Sequence, residues 1–332
     1  MPTMSAIVSF DGLPIDDPRS LVDDTVDVPQ LRPRDVLVRV EAVSVNPVDV
    51  KRRAGHTSAS GALVLGYDAA GTVVARGPDV TTVAVGDEVY YAGDITRPGT
   101  NAEFHAVDER LAARKPASLG FAEAAALPLT AITAWESLFD RFALSEASTG
   151  TLLVLTGAGG VGSIMIQLAR QLTGVRVLAS ASRDESRAWA VRMGAHDVVD
   201  HHDLVATTAR AAPDGLDYLF TSYSRGNIPA FAEIVRPFGH ITAIDDAALD
   251  LYPLKSKSIA WHWELMFTRS MYETPDMIEQ KRLLERVAEL VDEKAITTTM
   301  TTAIADFSAA GLRRAHELVE SGRTVGKVVV HR

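Results

Sequence analysis

Apolar positions change their rhythm twice along the chain. Up to about residue 118 they fall in short, β-branched runs such as Val36-Leu-Val-Arg-Val-Glu-Ala-Val43 and Ala70-Gly-Thr-Val-Val-Ala75. Gly77-Pro-Asp, Val85-Gly-Asp and Arg97-Pro-Gly punctuate these runs as turns, a pattern that predicts many short antiparallel strands in a barrel-like arrangement. Near Leu119 the pattern becomes helical, with Phe121 to Ala126 and Thr133 to Phe139 rich in alanine and in i, i+4 apolar pairs. From Thr151 strands and helices alternate. Leu152–Thr156, Val175–Ala179, Asp197–Asp200, Leu216–Phe220 and His240–Ile244 read as strands, and Ile164–Leu172 and Glu185–Met193 as helices. Such alternation predicts βαβ units and a parallel sheet covered by helices on both faces. Beyond it, Met277–Asp292 and Ser308–Ser321 read as amphipathic helices. Lys327-Val-Val-Val330 is a terminal strand placed to rejoin the N-terminal sheet.

Composition narrows the classes of function. The 332 residues suit about two domains. The formal net charge of −10 argues against a nucleic-acid scaffold, which needs a basic surface. There is no cysteine, so disulfides, thiolate zinc sites and a cysteine nucleophile are excluded. No run approaches a membrane span, and the N-terminus lacks the basic start and apolar core of a secretory signal. A cytoplasmic protein without membrane or nucleic-acid partners is expected.

The most specific motif is Gly157-Ala158-Gly159-Gly160-Val161-Gly162, a G-x-G-x-x-G directly after a strand and directly before a helix. Gly157 permits the tight turn, Gly159 admits a pyrophosphate close to the backbone, and Gly162 lets helix and strand pack. The helix N-terminus then offers free N–H groups to the phosphates. An NAD site usually adds an acid at the end of the second strand. Here the segment Ser180-Ala-Ser-Arg-Asp184 has no acid at that point, and Ser180, Ser182 and Arg183 are donors suited to a 2′-phosphate. The expected cofactor is NADPH. The dipeptide Gly326-Lys327 offers an ammonium that is expected to meet a cofactor phosphate.

Leu155 to Ser163 with Gln167-Leu-Ala-Arg170, Ser44-Val-Asn-Pro-Val-Asp-Val-Lys51, Leu65-Gly-Tyr-Asp-Ala-Ala-Gly71 and Val85-Gly-Asp-Glu-Val89 together resemble the medium-chain dehydrogenase/reductase superfamily. Ala124 to Trp135 is similar to that superfamily's link into its cofactor domain. The likeness is greatest to the quinone oxidoreductase branch, in the subgroup labelled zinc-type alcohol dehydrogenase-like proteins. It implies an α/β fold in which a Rossmann doubly wound parallel sheet is inserted in a β-rich GroES-like catalytic domain. The expected boundaries are 123–267 for the cofactor domain and 1–122 with 268–332 for the discontinuous catalytic domain. A homodimer or tetramer is also implied.

Zinc-using relatives place a cysteine where Asn46 stands and a Gly-His-Glu where Gly66-Tyr67-Asp68 stands, and the cysteines of their structural lobe are missing here. Zinc needs three or four deprotonated N, S or O ligands, so no metal site is expected. Pro47 restrains Asn46 to an extended backbone, which would aim its amide at a substrate. Asp49 of the same motif is expected to hold local structure. By resemblance, Asn46, His56 and Tyr67 are the candidate hydrogen-bond donors to the substrate, and Thr130 is a cofactor contact. Ile259 to Phe267 reads as a buried strand with core tryptophans, or else as an aromatic wall for a planar acceptor.

The chemistry expected is zinc-independent hydride transfer from NADPH to a quinone or a related conjugated carbonyl, which needs only a few donors in place of a metal. An enoyl or alkenal double-bond reductase differs only in the acceptor. A non-catalytic NADPH-binding sensor or structural protein is the alternative of another class.

Overall fold

A computed structural model describes residues 2–57, 59 and 61–332. From the N-terminus come β1 (Thr3–Ser9), β2 (Val22–Asp27), β3 (Asp35–Val45), α1 (Pro47–Ala54), β4 (Leu63–Val64), β5 (Asp68–Arg76), β6 (Glu88–Ala92), β7 (Phe104–Asp108) and β8 (Ala113–Arg114). Then α2 (Phe121–Ala125) and α3 (Pro128–Trp135) follow, and α3 runs on into a π-helical turn, Glu136–Arg141. The alternating stretch is β9 (Thr151–Val154), α4 (Gly160–Leu172), β10 (Arg176–Ser180), α5 (Asp184–Arg192), β11 (Asp197–Val199), α6 (Leu204–Ala211), β12 (Leu216–Thr221), α7 (Ile228–Ile234), β13 (Val235–Ala243) and β14 (Ala260–Trp263). The chain closes with α8 (Thr268–Met271), α9 (Glu279–Asp292), β15 (Met300–Ile304), α10 (Ala309–Glu320) and β16 (Lys327–His331).

These elements form two compact units, one from Met1–Leu129 and Phe267–Arg332, the other from Thr130–Met266. The first is β-rich. Its main sheet runs β15-β16-β3-β5-β6-β8 with β7 also paired to β3, and a smaller sheet runs β2-β1-β4. Val36, Val38 and Val40 of β3 turn inward at alternate positions and join Leu65, Val73, Val89, Val107, Val328 and Val330 in one core. The C-terminal strand β16 lies antiparallel on β3, with Val328 opposite Val45, while Ser44 of β3 faces Asp68 of β5. That register brings three distant segments together at one point of the sheet.

The second unit holds a six-stranded parallel sheet in the order β11-β10-β9-β12-β13-β14. Strand order reverses between β9 and β12, the arrangement of a doubly wound sheet with its ligand crevice at the carboxyl ends of the strands. Leu152, Leu153 and Val154 of β9 are buried, as a strand covered on both faces requires. The fold class is therefore the Rossmann sheet with a GroES-like β-rich partner.

Two segments differ from their sequence patterns. Thr133 to Phe139 is not one α-helix: it begins in α3 and ends in the π turn. The segment Ile259 to Phe267 supplies an edge strand rather than a buried one. With β13 on one side only, Trp263 is half exposed.

Candidate functional site

In the cofactor unit, the glycine loop fills the turn from β9 into α4. A Cβ on Gly157 would stand 2.6 Å from the Ala179 Cβ, and one on Gly162 would stand 2.5 Å from the Thr156 carbonyl oxygen. Both positions therefore require glycine for packing alone. Gly159 is the N-cap of α4, its own N–H donating to the Thr156 carbonyl at 2.9 Å, and within the helix Ser163 N–H is the first to donate, to the Gly159 carbonyl at 2.9 Å. The N–H groups that begin a helix have no intrahelical acceptor, so Gly160, Val161 and Gly162 present the donors of an anion cradle. Ala158, between the first two glycines, is buried. The residues fit a pyrophosphate.

Ser180 corrects one expectation. It is buried at the end of β10, and its hydroxyl accepts from Thr156 N–H at 2.9 Å, pinning the entrance to the glycine loop. It braces the cradle instead of facing a 2′-phosphate. Ser182 and Arg183 follow it, both half buried, at the carboxyl end of β10 and the start of α5. The Arg183 backbone N–H donates to Ser186 Oγ at 3.2 Å, which caps the helix through the backbone. Neighbouring Arg187 donates to the carbonyls of Ala181 and Val198 at 3.1 and 3.2 Å and thereby fixes the turn. Thr130 is buried on α3.

In the β-rich unit, Asn46, Asp68 and Lys327 converge where β16, β3 and β5 lie side by side. Asp68 Oδ2 accepts from Ser44 Oγ at 2.6 Å, from Asn46 Nδ2 at 2.7 Å and from Lys327 Nζ at 3.4 Å. Its other oxygen accepts from Leu129 N–H at 2.7 Å. Lys327 Nζ also donates to Asn46 Oδ1 and, at 3.2 Å, to the Val45 carbonyl. All of these side chains are buried. Desolvation pulls the Lys327 ammonium's proton affinity down, and the Asp68 and Asp49 carboxyls oppose that pull. Sequence separation hid this pairing. The clue was an acid and a base each standing alone in an apolar strand, since a buried charge needs a partner.

Two further expectations are corrected here. Lys327 is not open to a cofactor phosphate, because its three N–H bonds point at Val45, Asn46 and Asp68. Asn46 does adopt the extended backbone that Pro47 favours, at φ −121° and ψ 160°. Its amide N–H groups, however, go to Asp68 and to the Ser44 carbonyl at 3.4 Å, so they are not offered to a substrate. Asp49 holds local structure: its carboxyl accepts from Asn46 N–H at 2.8 Å and from Gly66 N–H at 3.0 Å. Burial pushes it up to about 7, and the Asp68 charge adds to the rise.

Tyr67 packs its ring edge-on against Phe267, with centroids 5.2 Å apart. Burial is the main cause that pushes its phenol up to about 12, against the opposing charge of Arg52 beside the hydroxyl. It therefore remains a protonated donor at neutral pH. His56 is half exposed on the loop after α1, its Nε2 at 2.8 Å from the Gly61 carbonyl.

Comparison with known proteins agrees with this architecture. Residues 32–133 match the alcohol dehydrogenase GroES-like domain, and residues 193–330 match a family described as zinc-binding dehydrogenase. A zinc-type alcohol dehydrogenase-like protein of Staphylococcus aureus (strain MSSA476) is 40% identical over 305 residues, 90% of each chain. The crystal structure of a Rhizobium etli CFN 42 protein assigned by name to the zinc-dependent alcohol dehydrogenases superposes with a TM-score of 0.95. It is 47% identical and covers 100% of this chain and 99% of that one. An NADPH-dependent alkenal/one oxidoreductase of Arabidopsis thaliana is 34% identical over 238 residues, 68% of this chain and 59% of its own length. The chain belongs to the medium-chain dehydrogenase/reductase superfamily of oxidoreductases.

Proposed function

We propose that this oxidoreductase uses NADPH, without a metal, to reduce a conjugated carbonyl acceptor, a quinone foremost and an enone next. The observation that carries the metal-free reading is the Lys327 ammonium bonded to Asn46 Oδ1 and Asp68 Oδ2. Asn46 and Tyr67 stand at the ligand positions of zinc-using relatives, and a cation already satisfies the oxygen donors there. A neutral amide oxygen, a protonated phenol and a carboxylate held by an ammonium do not make the deprotonated N, S or O set that zinc requires. The residues present do not fit zinc, despite the name of the matching family.

NADPH supplies the hydride when bound. Gly160, Val161 and Gly162 would hold the pyrophosphate with backbone N–H groups, and Ser182 and Arg183 the 2′-phosphate, a division supported by the missing acid after β10. Thr130 remains the proposed contact for the nicotinamide end. Tyr67 is the proposed donor to the oxygen that gains charge in the acceptor, because its phenol keeps its proton and Arg52 lies beside it. Asn46, Asp68 and Lys327 act as positioning residues that hold β3 and β5 in register under Tyr67. A conjugated acceptor spreads the incoming charge onto one oxygen, so one or two such donors suffice. The Arabidopsis relative, whose name specifies NADPH and alkenals or enones, supports that acceptor class.

The test is a panel of quinones, enones, saturated aldehydes and alcohols with NADPH or NADH, on protein purified without a histidine tag and assayed for zinc. Turnover of conjugated acceptors with NADPH at far less than one zinc per chain is expected. Turnover of a saturated alcohol or aldehyde alone, lost together with stoichiometric zinc, would overturn the proposal.

A further inference from the structure

Thr156 joins β9 to the glycine loop in a backbone conformation that its side chain disfavours. Its φ is +56°, in the left-handed region, where a β-branched residue is an outlier. Three of its groups are tied down there. Its N–H donates to Ser180 Oγ at 2.9 Å, its carbonyl accepts from Gly159 N–H at 2.9 Å, and its Oγ1 donates to the Leu155 carbonyl at 2.6 Å. Strain held in place by its surroundings gathers at ligand sites. The Thr156 hydroxyl also reaches the neighbouring strand, where Ser222 Oγ lies 2.8 Å away.

The place of this hydroxyl pair in the sheet is specific. Ser222 is the first residue past β12. The parallel pairing of β9 with β12 ends at Val154 and Phe220, with Leu155 N–H donating to the Phe220 carbonyl at 2.9 Å. The two hydroxyls form the next link beyond that last backbone bond. Strand order reverses between these same two strands, and a doubly wound sheet takes a dinucleotide across its carboxyl ends at the reversal. Thr156 is exposed and Ser222 half-buried, so the pair borders that crevice.

Proton counting gives the pair a polarity. A hydroxyl has one proton to donate and two lone pairs to accept with. The Thr156 proton goes to the Leu155 carbonyl, so the proton between Thr156 and Ser222 comes from Ser222. Both protons are thereby spent inside the protein, and the crevice meets oxygen lone pairs only. That is the reverse of the cradle of Gly160, Val161 and Gly162, which offers N–H donors only. An ionised pyrophosphate carries acceptors alone, so it suits the cradle and is turned away by the hydroxyls. Ser182 and Arg183, proposed for the 2′-phosphate, lie on the β10 side of β9, and Ser222 lies on the β12 side. The group that follows the pyrophosphate on that side is a ribose, whose two hydroxyls are donors. We infer that Ser222 Oγ accepts a hydrogen bond from the ribose diol on the nicotinamide side of the cofactor, and that Thr156 is the positioning residue that turns the Ser222 proton away from it. This inference rests on the cofactor reading above.

The test is equilibrium titration with three ligands. The first, 2′,5′-ADP, lacks the second ribose; 2′-phospho-ADP-ribose has it without the nicotinamide; NADPH has both. Ser222→Ala should weaken NADPH and 2′-phospho-ADP-ribose about fivefold, the scale of one neutral hydrogen bond, and leave 2′,5′-ADP unchanged. Thr156→Val, which cannot accept the Ser222 proton, should show the same pattern, and Thr156→Ser should bind all three ligands as the parent does. If Ser222→Ala weakens all three alike, or none, the pair is only a brace between strands and the inference fails while the cofactor reading stands. Parental binding by Thr156→Val would remove the positioning role. A parent protein that binds neither 2′,5′-ADP nor NADPH would overturn the cofactor reading together with the inference.

Discussion

Replacing Lys327 with Met tests whether the buried Asn46–Asp68–Lys327 cluster holds the β-rich unit together. The substitution keeps the aliphatic stem and removes the ammonium. Asp68 keeps three donors, Ser44 Oγ at 2.6 Å, Asn46 Nδ2 at 2.7 Å and Leu129 N–H at 2.7 Å. Breaking a buried ion pair on one side costs about 3–5 kcal/mol, and these three bonds place the carboxylate's share near the lower end. Asn46 Oδ1 and the Val45 carbonyl each lose a donor as well, and a buried unsatisfied acceptor costs about 1–3 kcal/mol. A loss of about 4 kcal/mol is expected. The double variant Lys327→Met/Asp68→Asn removes the stranded charge, and its new amide can donate to Asn46 Oδ1. It should regain about 2 kcal/mol over the single variant.

The assay must read the right unit. All four tryptophans, Trp135, Trp189, Trp261 and Trp263, lie in Thr130–Met266, so their fluorescence reports the cofactor unit. Hydrogen exchange across a urea series, followed by mass spectrometry on peptides covering β3 and β16, reports the strands that carry the cluster. A loss below about 1 kcal/mol in the single variant, or no recovery in the double variant, would show that Lys327 is a bystander. In that case the argument against zinc would lose its main support.

Three further outcomes are expected. Arg183→Ala should weaken NADPH binding by about 1.5–3 kcal/mol and leave NADH nearly unchanged, because the Arg183 N–H to Ser186 Oγ bond of the helix cap is kept; equal weakening of both cofactors in equilibrium titrations would refute the 2′-phosphate contact. Tyr67→Phe should slow single-turnover hydride transfer about tenfold, or about 1.4 kcal/mol in barrier, with NADPH affinity unchanged; stopped-flow traces at the parental rate would remove Tyr67 from the acceptor site. His316 is buried on α10 with both ring nitrogens unpartnered among the described residues, and burial pulls it down to about 3, so it stays neutral in the folded state while the unfolded chain takes up a proton below about pH 6.5. Its contribution to stability is therefore complete above that pH and lost as pH falls towards 3. Asp49 and Glu264, raised by burial, act in the opposite sense, so the comparison with a variant is the informative one. The stability of His316→Leu relative to the parent should improve by about 2.3 kcal/mol between pH 6.5 and 4.5, and a pH-independent difference would refute this.

What the sequence discloses and what it hides follows from the range of the interactions involved. Leu152 to Val154 could be read as a buried parallel strand because its burial is written in consecutive residues. The glycine loop could be read because all its constraints lie within six positions. The widening of the helix at Glu136 left no trace in the local pattern of apolar residues, which reads as an ordinary helix through Phe139. Lys327 was misplaced for the same reason. Next to Gly326 it resembles a phosphate ligand, and only the pairing of Val328 with Val45 turns it toward Asp68 instead. Ser180 shows the subtler limit, since a strand-end hydroxyl suits a ligand and a loop brace equally well, and the Thr156 N–H decides between them. In each case the misread residue is polar and buried, with a partner supplied by another strand, loop or helix. Such residues bind the fold's distant segments into one arrangement. Their partners must therefore be sought among the other lone charges of apolar segments, and Asp68 with Lys327 is the pair that such a search would have found.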